Sequence, residues 1–293
     1  MNRYYDVVTN VKHLVSLCAG LVAAGVLLLS GSATAQVYTM SDGGSTATIN
    51  VGNTGVLGMN SWTVLGGQNQ LNQQWFWYSV NGAAQQPINA LGTATVFNFS
   101  SPATPIDNLG VQYQNNQLAV QVQYILSGNG NMSGSADMTE TLSIQNVSAS
   151  QITLSFYQYS NFNLLMNNMN GVTISGGPGG YTGALQTTGG PGGNGIAEVI
   201  DAPLANFAEA ALAGQTLSEL NSGSYYTLNG STSAGPGDVT WAFQWNATLD
   251  PGAVFDITKD KGLSITLVPE PSTLAFIAMG ISAMGLSLRR KSA

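Results

Sequence analysis

Val111-Gln-Tyr-Gln-Asn115-Asn116-Gln-Leu-Ala-Val-Gln-Val-Gln-Tyr124 decides the fold class. Apolar and polar residues alternate on both sides of the Asn-Asn pair, the period of two expected of strands with one buried and one solvated face. Two such runs joined by residues that tolerate positive φ predict a β-hairpin with a tight turn at Asn115-Asn116. Working outward, the same pattern predicts strands at Ala47–Val51, Ser61–Leu65, Gln74–Val80, Ala94–Phe99, Leu109–Gln114, Gln117–Leu126, Ala136–Ile144, Gln151–Phe162, Ser224–Leu228, Val239–Ala247 and Leu263–Leu267. A second hairpin is expected between 136–144 and 151–162, across Asn146-Val-Ser-Ala-Ser150. The chain therefore reads as all-β, a jelly-roll-like β-sandwich.

One short helix is expected between Asp201 and Ala213. Asp201 would cap it, Pro203 suits its first turn, and Leu204, Phe207, Ala208, Ala211 and Leu212 would share a face before Gly214 ends it. The Gly-rich stretch 176–195 carries Gly-Gly-Pro-Gly-Gly twice and lacks apolar periodicity, so it reads as a surface loop within one domain.

Both ends differ from this body. Arg3, Lys12 and His13 precede an apolar run from Leu14 to Leu29, and Ala33-Thr34-Ala35 places small residues at the −3 and −1 positions of a cleavage site. Residues 1–35 thus read as a signal peptide, engaging the Sec machinery and signal peptidase. Cys18 follows Leu17 inside the apolar run, a poor context for lipidation.

At the other end, Val268-Pro269-Glu270-Pro271-Ser-Thr is followed by the apolar segment 274–288 and by Arg289-Arg290-Lys291. The prolines fix an extended handle that cannot continue a strand. Fifteen helical residues span roughly 22 Å at about 1.5 Å each, less than the roughly 30 Å of a hydrocarbon core. A basic cluster after such a segment is retained on the cytoplasmic side and stops transfer. This order resembles the PEP-CTERM sorting signal of exopolysaccharide-producing Gram-negative bacteria. The resemblance implies recognition of Pro269, Glu270 and Pro271 by an exosortase, a short transmembrane helix at 274–288 and a basic terminus at Arg289, Arg290 and Lys291. It also implies an intermediate held transiently in the inner membrane and then passed to the cell surface or extracellular matrix. The aromatic segments 62–78, 156–164 and 237–252 resemble a recurring ectodomain of PEP-CTERM proteins, which implies no particular activity.

With both signals removed, Lys259 and Lys261 are the only cations in residues 36–268, against twelve carboxylates, for a net charge of −10. Such a surface repels nucleic acid and anionic membranes, which argues against both as partners. The sole His and sole Cys lie in the signal peptide. No Ser-His-Asp or Cys-His machinery, usual zinc site or disulfide is then available, and no catalytic residue is assigned.

Several local features carry a plain structural reading beside a functional one. In Trp75-Phe76-Trp77-Tyr78, the period of two places Trp75 and Trp77 on one face; a strand buried on both sides explains the run, while a sugar-stacking platform would put those two rings in contact with carbohydrate. Asp137 and Glu140 are three apart on a strand and point to opposite faces, so they do not form a glycosidase pair. Gly190–Gly195 matches a dinucleotide fingerprint in spacing alone. Asp250, Asp256 and Asp260 suit calcium by chemistry but match no loop spacing, and no metal ligand or other cofactor is assigned. The reading that results is an exported, non-enzymatic envelope or matrix protein associated with exopolysaccharide. A carbohydrate-binding module is the alternative.

Overall fold

The computed structural model describes residues 36–130, 133–166, 169–189 and 194–266. The expected signal-peptide features, Ala33 and Ala35 among them, and the tail with Pro269, Glu270, Pro271, the helix at 274–288 and Arg289, Arg290 and Lys291 lie outside the described residues. Within them, no helix is long and apolar enough to cross a membrane.

In chain order the strands are β1 (Val37–Asp42), β2 (Ser45–Asn50), β3 (Gly58–Val64), β4 (Leu71–Val80), β5 (Gln86–Pro87), β6 (Thr95–Asn98), β7 (Asn108–Gln114), β8 (Leu118–Gly128), β9 (Ser135–Asn146), β10 (Ile152–Phe162), β11 (Asn170–Gly177), β12 (Gly180–Thr188), β13 (Gly195–Ala202), β14 (Phe207–Leu212), β15 (Ser233–Gly237), β16 (Val239–Leu249) and β17 (Val254–Ser264); a short helix, α1 (Gln215–Leu220), follows β14. They form two antiparallel sheets. The first runs β1-β2-β3-β4-β10-β16-β14, with β5 attached to β4, and the second runs β15-β11-β12-β13-β17-β9-β8-β7-β6.

The second sheet keeps the alternation that the sequence announces. Along β9, Met138, Glu140, Leu142 and Ile144 are buried, whereas Thr139, Thr141 and Ser143 reach solvent. The centre of the first sheet is covered on both faces. Its far side lies under the segment 213–232: Tyr157 donates its hydroxyl to Tyr226 O at 2.8 Å, Leu228 N donates to Gln244 Oε1 at 3.1 Å, and Trp77 Nε1 donates to Asn221 Oδ1 at 3.1 Å. Phe76, Phe156, Phe162, Trp241, Phe243 and Trp245 are all at most 1% exposed. Each such ring removed from water stabilises the fold by about 1.5–3 kcal/mol.

Several sequence expectations change. The 111–124 hairpin forms as β7–β8, but neither Asn115 nor Asn116 takes a positive φ. Asn115 Oδ1 instead accepts the N–H groups of Gln117 and Leu118, each at 2.8 Å, and closes a wider turn. The expected 136–162 hairpin does not form, because β9 pairs with β8 and β17 in one sheet while β10 pairs with β4 and β16 in the other. Buried Asn146 turns this corner, donating to Ser150 O at 2.8 Å and Leu249 O at 2.9 Å.

No helix occupies 201–213. Its residues divide between the end of β13 and β14, because β16 offers an open edge and six residues of β14 pair with it. A backbone partner of that length overrides the helical propensity of Ala, Glu and Leu. The helix starts after Gly214 instead. The Gly-rich stretch is likewise mostly strand: β12 fills 180–188 and β13 starts at Gly195. Here glycine serves packing, since a Cβ at Gly183 would collide with the Glu198 carbonyl of the neighbouring strand. Residues 224–228 form part of the covering segment and not a strand.

Candidate functional site

Trp75 and Trp77 are 1% and 2% exposed, so neither ring is available to a sugar. Trp75 meets Tyr113 edge-on at 5.9 Å, and Trp77 meets Tyr159 edge-on at 6.1 Å. The platform reading of these two residues is corrected: a strand at the centre of a sheet with both faces covered leaves its aromatics no solvent side.

The most unusual chemistry lies between the sheets. On β17, Lys259 and Lys261 point inward with Ile257 and Leu263. Glu140 points inward from β9 on one side, and Glu198 from β13 on the other. All four side chains are 0% exposed. Lys259 Nζ donates to Glu140 Oε2 and lies 3.3 Å from Glu198 Oε1. Lys261 Nζ lies 2.7 Å from Glu140 Oε1 and 3.5 Å from Glu198 Oε1, close enough for charge attraction though outside hydrogen-bond geometry. The first sheet completes the cluster. Trp241 Nε1 and Gln158 Nε2 donate to Glu198 Oε2 at 2.7 and 2.8 Å, and Gln74 Nε2 donates to Glu140 Oε2 at 3.3 Å. Lys259 Nζ also lies 5.2 Å from the centre of the Phe76 ring.

Burial opposes ionisation of Glu198, but the charges of Lys261 and Lys259 and the hydrogen bonds from Trp241 and Gln158 outweigh it, so its carboxyl titrates below the ordinary value of 4.5. Desolvation also opposes the Lys259 charge and, with the like charge of Lys261, prevails over the two carboxylates; its ammonium is held below the usual lysine value. Lys261 is buried as well, yet Glu140 and Glu198 prevail there and raise it.

The sequence did contain a signal for this cluster. Ile257-x-Lys259-x-Lys261-x-Leu263, Met138-x-Glu140-x-Leu142 and Ile196-x-Glu198-x-Ile200 each place the charged residue in phase with apolar neighbours that face the core. Asp137, three residues from Glu140 on β9, is exposed on the opposite face, as the period of two requires.

The lysines' burial leaves the surface of the described residues without a cationic side chain. Nine of the twelve carboxylates reach solvent; Glu140, Glu198 and Glu209 do not. Asp250 accepts from Gln151 at 2.7 Å and Asp260 from Thr139 at 2.5 Å, and among the described residues no three metal-ligating side chains converge.

The second sheet's outer face is a plane of amides and hydroxyls. Register places Gln112, Gln121, Ser143 and Asp256 in one row, and Gln123, Thr141 and Thr258 in the next. At the β6 edge, Phe97 and Phe99 stack at 6.0 Å and 13°. They lie over Gly110, where a Cβ would sit 2.7 Å from the Phe99 ring, and Phe99 is 49% exposed. Two shallow grooves of about 360 and 410 Å³ run along β11, β12 and β13, with half-exposed Leu185 lining both.

These features define an all-antiparallel sandwich with a sealed ionic centre and, among the described residues, an acidic surface free of cations. Residues 267–291 match the PEP-CTERM protein-sorting motif. The chain is thus an exported, sorted protein bearing a PEP-CTERM signal. No curated protein matches it. Among solved structures, it is similar to a putative aldose 1-epimerase from Escherichia coli K12, at 11% identity over 80% of this chain and 100% of that one, with a TM-score of 0.48. A galactose mutarotase related enzyme from Lactobacillus acidophilus shares 10% identity over 79% of this chain and 98% of that one, with a TM-score of 0.49. A bacterial glucoamylase complexed with acarbose shares 9% identity over 87% of this chain and 37% of that one, with a TM-score of 0.49.

Proposed function

We propose that this sandwich is a non-catalytic structural component of the cell envelope or extracellular matrix of a Gram-negative exopolysaccharide producer. The Sec machinery exports it, signal peptidase cleaves after Ala35, and the segment 274–288 holds it transiently in the inner membrane with Arg289, Arg290 and Lys291 on the cytoplasmic side. An exosortase then acts at Pro269-Glu270-Pro271. The sorting motif at 267–291 carries this reading. A body whose described surface offers no His, Cys or Lys supports the non-catalytic part, since His is the commonest general acid-base group and Cys and Lys are two of the main side-chain nucleophiles. Intact mass of the exported protein tests it: loss of Leu274–Ala293 is expected in cells with an exosortase and retention in cells without one. A mature chain that keeps the tail in both would overturn the processing step.

A carbohydrate-binding role is the second reading, supported by the Phe97–Phe99 stack and not by the buried Trp75 and Trp77. An exposed flat ring beside rows of amides and hydroxyls offers a sugar both an apolar surface and hydrogen-bonding partners. The lack of cations on this face favours a neutral polysaccharide over an anionic one. Affinity electrophoresis through neutral polysaccharide discriminates the readings, because retardation is expected only for a binding module.

A further inference from the structure

We propose that Lys259 and Glu140 condense to an intramolecular amide that ties β17 to β9 inside the sandwich. The two residues face one another directly in the β9–β17 register, both are sealed from solvent, and Lys259 Nζ already contacts Glu140 Oε2. Such placement makes the reaction unimolecular and excludes the water that would reverse it.

The neighbouring groups supply what the step needs. Glu198 Oε1 lies 3.3 Å from Lys259 Nζ and carries no hydrogen bond of its own, so it can take a proton from the ammonium. The other Glu198 oxygen is pinned by Trp241 and Gln158, which fixes the carboxylate's aim. As the amine lone pair attacks Glu140 Cδ, negative charge develops on the two Glu140 oxygens. Lys261 Nζ stands 2.7 Å from Oε1 and Gln74 Nε2 donates to Oε2 at 3.3 Å, a cation for one oxygen and an amide N–H for the other. A C–N bond forms and a C–O bond breaks. Two protons of the ammonium, relayed through Glu198, leave with one Glu140 oxygen as water, and Glu198 is returned ionised. The net change is ammonium plus carboxylate to amide plus water, with no oxidant or co-reactant. Glu198 Oε1, 3.3 Å from Lys259 Nζ and without a hydrogen bond of its own, is then available to accept the remaining amide N–H.

The product is the better occupant of this interior. Two desolvated ion pairs become one, Lys261 with Glu198, and a neutral amide replaces the other; burying two charges costs more than burying a hydrogen-bonded amide. The link joins residues 119 positions apart in a segment that has no cysteine for a disulfide. Its closed loop would restrain the unfolded chain as a disulfide does. The proposal does not depend on the tail's processing or on glycan binding.

Mass spectrometry of the purified full chain, unfolded and digested, tests the bond. One branched peptide joining the Glu140 and Lys259 segments is expected, lighter by one water than its two parts, and amine labelling of the unfolded chain should modify Lys261 but not Lys259. Glu198→Gln keeps the side-chain volume and loses the proton acceptor, so it should yield separate linear peptides. Lys259→Met provides a second control. Recovery of Glu140 and Lys259 in separate unmodified peptides from the folded wild-type protein would overturn the proposal and leave the cluster as ion pairs alone.

Discussion

Trp241 donates its indole N–H to Glu198 Oε2 at 2.7 Å, so an indole rooted in one sheet fixes a carboxylate rooted in the other. The bond holds the sealed cluster and the aromatic layer as one unit, because Trp241 also stacks on Phe162 at 5.4 Å and 10°. Interior charge and interior aromatics are therefore fastened together in this fold.

Trp241→Phe keeps most of the ring and removes the donor. Glu198 would lose a charge-assisted hydrogen bond in a dry site, and a loss of about 1.5–3 kcal/mol is expected. Urea unfolding followed by circular dichroism measures it; an unchanged midpoint would show that the bond contributes nothing to stability.

Lys261→Met should be costlier. With Lys259 held in the amide, it leaves the buried Glu198 carboxylate without its cation, and removing one partner of a buried pair costs about 3–5 kcal/mol. The double replacement Lys261→Met with Glu198→Leu removes charge of both signs and should recover much of that loss. If it is as unstable as the sum of its parts, the two residues are not coupled.

Acid should destabilise the protein through Glu198. Its folded carboxyl binds protons less tightly than the unfolded one, so the unfolded chain takes up the proton first as pH falls. The stabilisation is complete above the ordinary value of 4.5 and disappears as pH drops through the lowered folded value. Urea midpoints across this range should rise with pH in the wild type and rise less steeply in Glu198→Gln.

All five tryptophans, Trp62, Trp75, Trp77, Trp241 and Trp245, are at most 2% exposed. Acrylamide should quench native fluorescence weakly and uniformly, with full quenching only in denaturant. A readily quenched fraction in the native state would contradict the covered face of the first sheet.

Phe99→Ala should leave stability almost unchanged, because the ring is half exposed and lies over a glycine at a sheet edge. On the carbohydrate-binding reading, the same change should abolish retardation in neutral polysaccharide gels. Equal migration of variant and retarded wild type would move the binding surface elsewhere.

The strands were legible wherever apolar residues alternate with Gln, Ser or Thr, as in 111–124, 136–144 and 239–247. They were obscured where glycine or alanine replaces the apolar partner. Strand β12 was hidden because Gly183 is chosen for contact with the neighbouring backbone, which carries no hydropathy signal. Strand β14 read as helix because its pairing partner, β16, comes later in the chain.

The all-β class, the sorting signal and the chemical inventory follow from alternation, order and composition along a single line of residues. The covering of 71–80 on both faces, the half-exposed Phe99 stacked on Phe97 and the meeting of the two lysines with Glu140 and Glu198 arise only in the folded chain. Register is the cause: strands remote in sequence choose their neighbours by backbone pairing and packing between sheets. That choice seals every cation of the described residues inside the protein.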